Sequence, residues 1–242
     1  MNQLDGSSLK YEFTSLVTFA NGKCSEFKKK EALQINKKGR GYLFTFLGSS
    51  DEMLQNEPVE DVDEIVLTFG KALYPLTMQV SENFLPEQLV DFQAVKDRWL
   101  KLRNELSEKN DYNYYINKEL DKYELGLKSE EKLFSILKEN MFYKLLFWQM
   151  GEERQSLVIR DFPAWTRLSI FSFQHPKKEN ESWLFDTYDV HDEGSGHLLS
   201  GHATIHYTRG DDDMPKQIVV WARIEEEHIG YFTKQITIKR IE

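Results

Sequence analysis

Cysteine is nearly absent. Cys24 is the only one in 242 residues, which excludes an intrachain disulfide and any zinc site built on several thiolates. Long apolar runs are missing too, since no stretch approaches the roughly 18 consecutive apolar residues that a membrane-spanning helix needs. The amino-terminal "MNQLDGSSLKYEF" has no basic region followed by an apolar core, so with Met1 as the native start the expected compartment is the cytoplasm. Glycine and proline are scarce, at 13 and 6 residues, which argues against fibrous and low-complexity architectures. Cations are outnumbered, with a formal net charge of -9. Nucleic-acid affinity depends on Lys and Arg displacing counterions, so an extended phosphate-binding surface is disfavoured.

Several motifs are also absent. The chain has no Gly-x-x-x-x-Gly-Lys-Ser/Thr loop and no Gly-x-Gly-x-x-Gly after a strand, so neither standard phosphate cradle is available. The acidic runs "RGDDDMP" and "VEDVDE" lack the alternating ligand spacing, interior glycine and terminal glutamate of an EF-hand loop. "EGSGH" has Glu193 where a Gly-x-Ser-x-Gly elbow needs glycine, which leaves Ser195 as a turn residue. Cys24 directly follows an Asn-Gly turn with no recognisable catalytic signature around it, and reads as structural. No cofactor is expected.

What the chain does have is periodicity. In "LKYEFTSLVTF", residues 9–19, Leu9, Tyr11, Phe13, Val17 and Phe19 alternate with mainly polar groups, as a half-buried strand requires. Asn21-Gly22 then predicts a tight hairpin in which both central residues take positive φ. "ALQI" and "YLFTFL", separated by "GRG", extend this into an antiparallel meander. The segment from Pro58 to Leu73 is predicted as a helix, with a strand over "EIVLTF" as the alternative, and "YPLTMQV" returns to strand. The lysines in "FKKKEALQINKKGRG", from Lys28 to Lys38 with Arg40, suit solvated strand ends that discourage edge pairing.

The middle changes period. Phe92, Val95, Trp99, Leu102 and Leu106 recur at spacings of three and four, which puts them on one helical stripe. Tyr115, Ile116, Leu120 and Tyr123 continue the pattern until Gly126, Ser129 is a suitable N-cap for "EEKLFSILKEN", and "MFYKLLFWQM" is apolar enough to be buried on most sides. From residue 155 the two-residue period returns in "QSLVIR", "TRLSIFSF", "SWLFDTY", "HATIHYT", "KQIVVWARI" and "YFTKQITIKRI". The order is strands at about 9–50 and 74–80, helices at about 91–150, and strands at about 155–241. That segregation predicts one α+β domain over 1–242: an antiparallel, curved sheet of N- and C-terminal strands with the helical segment on one face.

All six histidines, from His175 to His228, lie in the last seventy or so residues, and "DVHDEGSGHLLSGHATIH" combines four of them with Asp189, Asp192 and Glu193. In "GHATIHYT" the apolar side is Ala203, Ile205 and Tyr207, which leaves His202 and His206 on the other face but about 13 Å apart along the strand. Zinc bonds of about 2 Å make them poor co-ligands. The combination left for a metal is His191, Asp192, His197 and His202 together with Asp189, which spans a glycine-containing turn but has no His-Glu-x-x-His pattern.

With every catalytic motif weak, the sequence is read as a non-enzymatic interaction or accessory protein, with a protein partner whose basic surface would fit the acidic loops. One alternative is a carrier of an apolar ligand in a cavity between sheet and helices. The other is a metal-dependent enzyme centred on the 189–206 cluster. If Trp99 is buried on its helical stripe, Trp99→Ala costs about 3–5 kcal/mol in chemical denaturation; a loss well below about 1 kcal/mol would contradict the stripe.

Overall fold

The structure is a computed structural model that describes residues 4–54, 70, 72–109, 114–147, 156–160, 168–173, 177–179, 182–193, 198–228 and 230–242. The described residues are mostly antiparallel sheet, 57% strand, with few helices. The α+β expectation therefore holds only in part, because the alternation persists through long segments such as the fifteen residues of Cys24–Lys38. The strands are β1 (Ser7–Thr18), β2 (Cys24–Lys38), β3 (Gly41–Leu54), β4 (Leu76–Val80), β5 (Pro86–Leu89), β6 (Ser156–Arg160), β7 (Leu168–Phe173), β8 (Lys177–Glu179), β9 (Ser182–Glu193), β10 (Leu198–Arg209), β11 (Pro215–Glu226) and β12 (Gly230–Arg240). The described helices are α1 (Phe92–Lys109), α2 (Tyr114–Gly126), α3 (Glu130–Glu139) and α4 (Met141–Leu146). Hydrogen-bonded neighbours follow the order β5-β4-β3-β2-β1-β12-β11-β10-β9-β7-β6, and β8 pairs with β9. By internal contacts the chain divides into two compact units: residues 1–10, 31–50 and 59–147, and residues 11–30, 51–58 and 148–242.

In the first unit the apolar stripe read for α1 is the buried one, with Val95 and Trp99 in the core. Four polar devices anchor the helices. Both carboxylate oxygens of Asp91, at the head of α1, accept the Thr77 N–H at 3.1 Å, and Arg98 donates to the carbonyls of Ala72, Leu73 and Pro75 at 3.1, 3.0 and 2.6 Å. Both tie α1 to β4 and the segment entering it. Ser129 caps α3 as expected, accepting the Lys132 N–H at 3.2 Å. The fourth device lies in the core: Tyr74 donates to Glu31 of β2 at 2.8 Å and shares a 2.9 Å bond with the Tyr143 hydroxyl of α4. Phe46 packs edge-on against Tyr143 and Phe142, and Phe142, Tyr143, Leu145, Leu146 and Phe147 are buried as expected of "MFYKLLFWQM", whose residues 148–150 lie outside the described residues. The segment from Pro58 to Phe69, predicted as a helix, lies outside the described residues.

The second unit is a ladder whose core follows from register. Tyr207 pairs with Ile218 and Ile218 with Ile238, while Phe13 pairs with Ile238 on its other side; the next row joins Phe185, Ile205, Val220 and Ile236. All of these side chains are buried, because residues opposite one another in antiparallel strands point to the same face. The Asn21-Gly22 hairpin forms, but not with two positive φ angles. Only Gly22 is left-handed, at φ 80; Gly22 N–H bonds to Phe19 C=O and Phe19 N–H to Lys23 C=O, which is a turn closed by a left-handed glycine. Asn21 instead uses its side chain to accept the Lys23 N–H at 3.0 Å. The β10–β11 loop is held by an Arg240–Asp212 ion pair at 2.5 Å and by Tyr11, whose hydroxyl donates to Pro215 C=O.

Burial pushes Tyr207 up to about 12 and raises Tyr11, Tyr74 and Tyr143 well above the ordinary tyrosine value, with neighbouring phenol and carboxylate groups adding to the rise at Tyr74. A phenol held neutral in the fold but ionising near pH 10 when unfolded stabilises the native state fully below about pH 10 and loses that contribution above it. Thermal stability should therefore fall from about pH 10 upward, with these tyrosines becoming tyrosinate only as the ordered-sheet circular dichroism is lost. Their ordinary titration in a chain that stays folded would contradict this burial.

Candidate functional site

The histidine-rich stretch maps onto β9 and β10. Along β10 the expected alternation holds, with Ala203, Ile205 and Tyr207 buried and His202 and His206 exposed. On β9 a bulge intervenes, because Ser172 pairs with Asp189 but Phe173 with Thr187, leaving Tyr188 as the extra residue. Thr187 replaces the interrupted ladder with its hydroxyl, which donates to Ala203 C=O at 2.5 Å and accepts Ala203 N–H at 2.8 Å. The shift in phase places Asp186 on one side of the bulge, and Asp189 and His191 on the other, on the face opposite the buried Phe185 and Phe171.

Two of the described imidazoles in this stretch, His191 and His202, each face a carboxylate. His202 Nε2 lies 2.6 Å from Asp186 Oδ1, and His191 Nε2 lies 2.8 Å from Asp189 Oδ2. All four side chains are 45–66% exposed, and at that exposure each pair contributes at most about 1 kcal/mol. Of the other metal candidates, His197 and the side chain of Asp192 lie outside the described residues; the Asp192 backbone pairs with Ser169. Among the described residues no group of three or more His, Cys, Asp or Glu side chains is arranged to hold a metal ion. Ser200, on the neighbouring strand, is hydrogen-bonded to Glu225 at 3.1 Å. The acidic "RGDDDMP" loop is largely neutralised from within, as Asp212 pairs with Arg240 and Asp213 with Arg209, so it offers little charge to a basic partner.

The more developed concavity is in the first unit, between α1 and α2. Lys96, Trp99, Leu100 and Arg103 stand at i, i+3, i+4 and i+7 on α1; Asp121, Glu124, Leu125 and Lys128 repeat that spacing along α2 and its end. Residues at these intervals share one side of a helix. Apart from Arg103 these residues line, together with Leu127, a groove of about 460 Å³, within the roughly 300–1,000 Å³ typical of binding sites. Its floor is buried, with Trp99 3% and Leu127 6% exposed, while the rim leucines stand out, Leu100 at 46% and Leu125 at 50%.

Two contacts hold the walls at this spacing. Trp99 packs against Tyr123 with ring centroids 5.6 Å apart, and Arg103 forms ion pairs with both Asp121 and Glu124. A guanidinium can engage two carboxylates at once because its donors form a planar fork. Helices separated by residues 110–113 alone, with Arg103 beside Asp121, run antiparallel, so Lys96 and Lys128 fall together at the other end. Lys96 lies over the Phe92 ring at 5.8 Å, and among the described residues neither lysine has a carboxylate within ion-pair distance. The groove is therefore apolar in the middle, neutralised at one end and cationic at the other.

The expected cavity lay between sheet and helices, whereas this groove is lined by α1, α2 and the two residues after α2. The signal that could have found it was present: Leu100 and Leu125 fall off the stripes that account for the buried residues of their helices.

No protein-family model and no curated protein sequence matches the chain. Among solved structures it is similar to one described as the crystal structure of Rv2717c from M. tuberculosis, at 4% identity and a TM-score of 0.32, over 99% of this chain and 93% of that one. A likeness of that size fixes neither fold nor activity.

Floor and rim should separate in denaturation experiments. Leu127→Ala, which empties a buried position, is expected to cost about 2–5 kcal/mol, whereas Leu100→Gln and Leu125→Gln should each cost less than about 1 kcal/mol. Equal losses at floor and rim would show that the leucines are packed and the groove closed.

Proposed function

We propose that this chain is a non-enzymatic interaction protein that takes an apolar element of a protein partner into the groove between α1 and α2. The observation that carries the reading is the pairing of a buried aromatic floor at Trp99 with two leucines left half in water at the rim. Burying the remaining apolar area of Leu100 and Leu125 is favourable at roughly 25 cal/mol per Å², and a well-filled pocket with such a rim is how interface anchors concentrate binding energy.

A carrier of a small lipophile is favoured less by the same geometry. A bound small molecule needs most of its surface enclosed, and a cleft whose rim leucines are half exposed covers a ligand from one side. A partner protein supplies the missing cover with its own surface. For a metal-dependent enzyme the support is weaker still, since His191 and His202 are each turned to a separate carboxylate.

The test combines native and denaturing mass spectrometry with affinity recovery from the source organism. The protein is expected to fly at the mass of the chain without a retained lipophile, and a specific partner should be recovered on the wild type but lost on the Leu100→Gln/Leu125→Gln variant. A lipophile that co-purifies and is released by that variant would favour the carrier instead, and a partner recovered equally on both proteins would remove the groove from the account.

A further inference from the structure

Resting on that reading, we infer that the groove recognises an amphipathic helix with an acidic residue one turn beyond its apolar anchors. Three features of the site select this occupant, the first being the absence of free backbone. The groove walls are helices, whose interior N–H and C=O groups are already paired, so an extended peptide gains no ladder hydrogen bonds here as it would at a sheet edge. A helix satisfies its own backbone and presents only side chains.

The second feature is length. From Lys96 to Arg103 the α1 wall rises through seven residue steps, roughly 10 Å at about 1.5 Å per residue. That accommodates about two turns, with apolar side chains at i and i+3 or i+4 seated over Trp99 between Leu100 and Leu125. The third is charge. At one end Asp121 and Glu124 are satisfied by Arg103, so a partner cation there would have to compete with an ion pair already made. At the other end Lys96 and Lys128 present two ammonium groups with no carboxylate within ion-pair distance among the described residues. A Glu or Asp one turn past the anchors reaches them, while a Lys or Arg in its place brings a third cation to the same spot.

The preference is local, because the whole chain carries a net charge of -9 and repels an acidic partner at long range. Two rim ion pairs, each contributing a factor of about two to five, amount to roughly tenfold in affinity. The sign of the preference therefore rests on these two lysines, which makes it reversible by substitution.

The experiment uses a displayed library of amphipathic helices of about 14 residues, with Leu and Phe at the anchor positions and Glu, Gln or Lys at the flanks, selected on the full chain. The wild type is expected to enrich Glu over Lys by roughly tenfold at the flank one turn beyond the anchors, and Lys96→Glu/Lys128→Glu should invert that preference while remaining folded, since Lys128 is exposed and Lys96 half-buried. Binding that is lost on Leu100→Gln/Leu125→Gln but shows no flank preference would overturn the acidic assignment and leave the groove reading standing. No enrichment at all, or enrichment indifferent to the leucine substitutions, would overturn both. Concentration-dependent self-association of the wild type, abolished in the charge-reversed variant, would make a second copy of this chain the occupant and also overturn the assignment.

Discussion

Removal of Trp99 from water is the constraint on which the candidate site depends. An indole on the inner stripe of α1 must be covered by a second helix, and the contact with Tyr123 shows α2 doing so. The same rotation that turns Trp99 inward carries Leu100, the next residue, outward by about a quarter turn. Burial of one residue thus fixes the exposure of its neighbour. Arg103 sets the remaining degree of freedom: by holding Asp121 and Glu124 together it fixes how far α1 can slide along α2, and hence that Lys96 and Lys128 fall at the same end. Floor, rim and charge asymmetry follow from one packed ring and one guanidinium.

The second unit illustrates a different economy. Its core is a set of cross-strand rows, and its surface chemistry is what the alternation leaves over. The imidazole–carboxylate pairs at His191 and His202 sit on that leftover face, each half exposed and each separately partnered. Such exposed pairs contribute little to stability, which is why a segment so rich in potential ligands need not be a centre of chemistry. The bulge at Tyr188 brings three of those polar residues onto one face, and Thr187 keeps the backbone satisfied while it does so.

Much of this was legible in the residues. The two-residue period of "HATIHYT" correctly separated Ala203, Ile205 and Tyr207 from His202 and His206, and the three-four spacing around Trp99 correctly marked the buried side of α1. Ser129 announced its cap. These succeed because each depends on one segment's own periodicity or backbone needs. What was not legible depends on a second segment. A bulge is a mismatch between two strands, so nothing in "FDTYDVHDE" alone reveals that Asp186 and Asp189 share a face. Asn21-Gly22 marked the turn but not its type, because a side-chain bond from Asn21 competes with the left-handed backbone. β5 is only four residues long and carries too little pattern to stand out. The groove required knowing that α1 and α2 pair, although Leu100 and Leu125 were already out of place on their own helices.

The measurement that bears most directly on the central claim is methyl NMR of the leucine-labelled chain with its bound partner. The methyl groups of Leu100, Leu125 and Leu127, with the indole N–H of Trp99, are expected to shift together, while Leu198 and Leu199 of β10 stay where they are. Perturbation confined to β10 and the histidine face, with the α1–α2 leucines unmoved, would contradict the account.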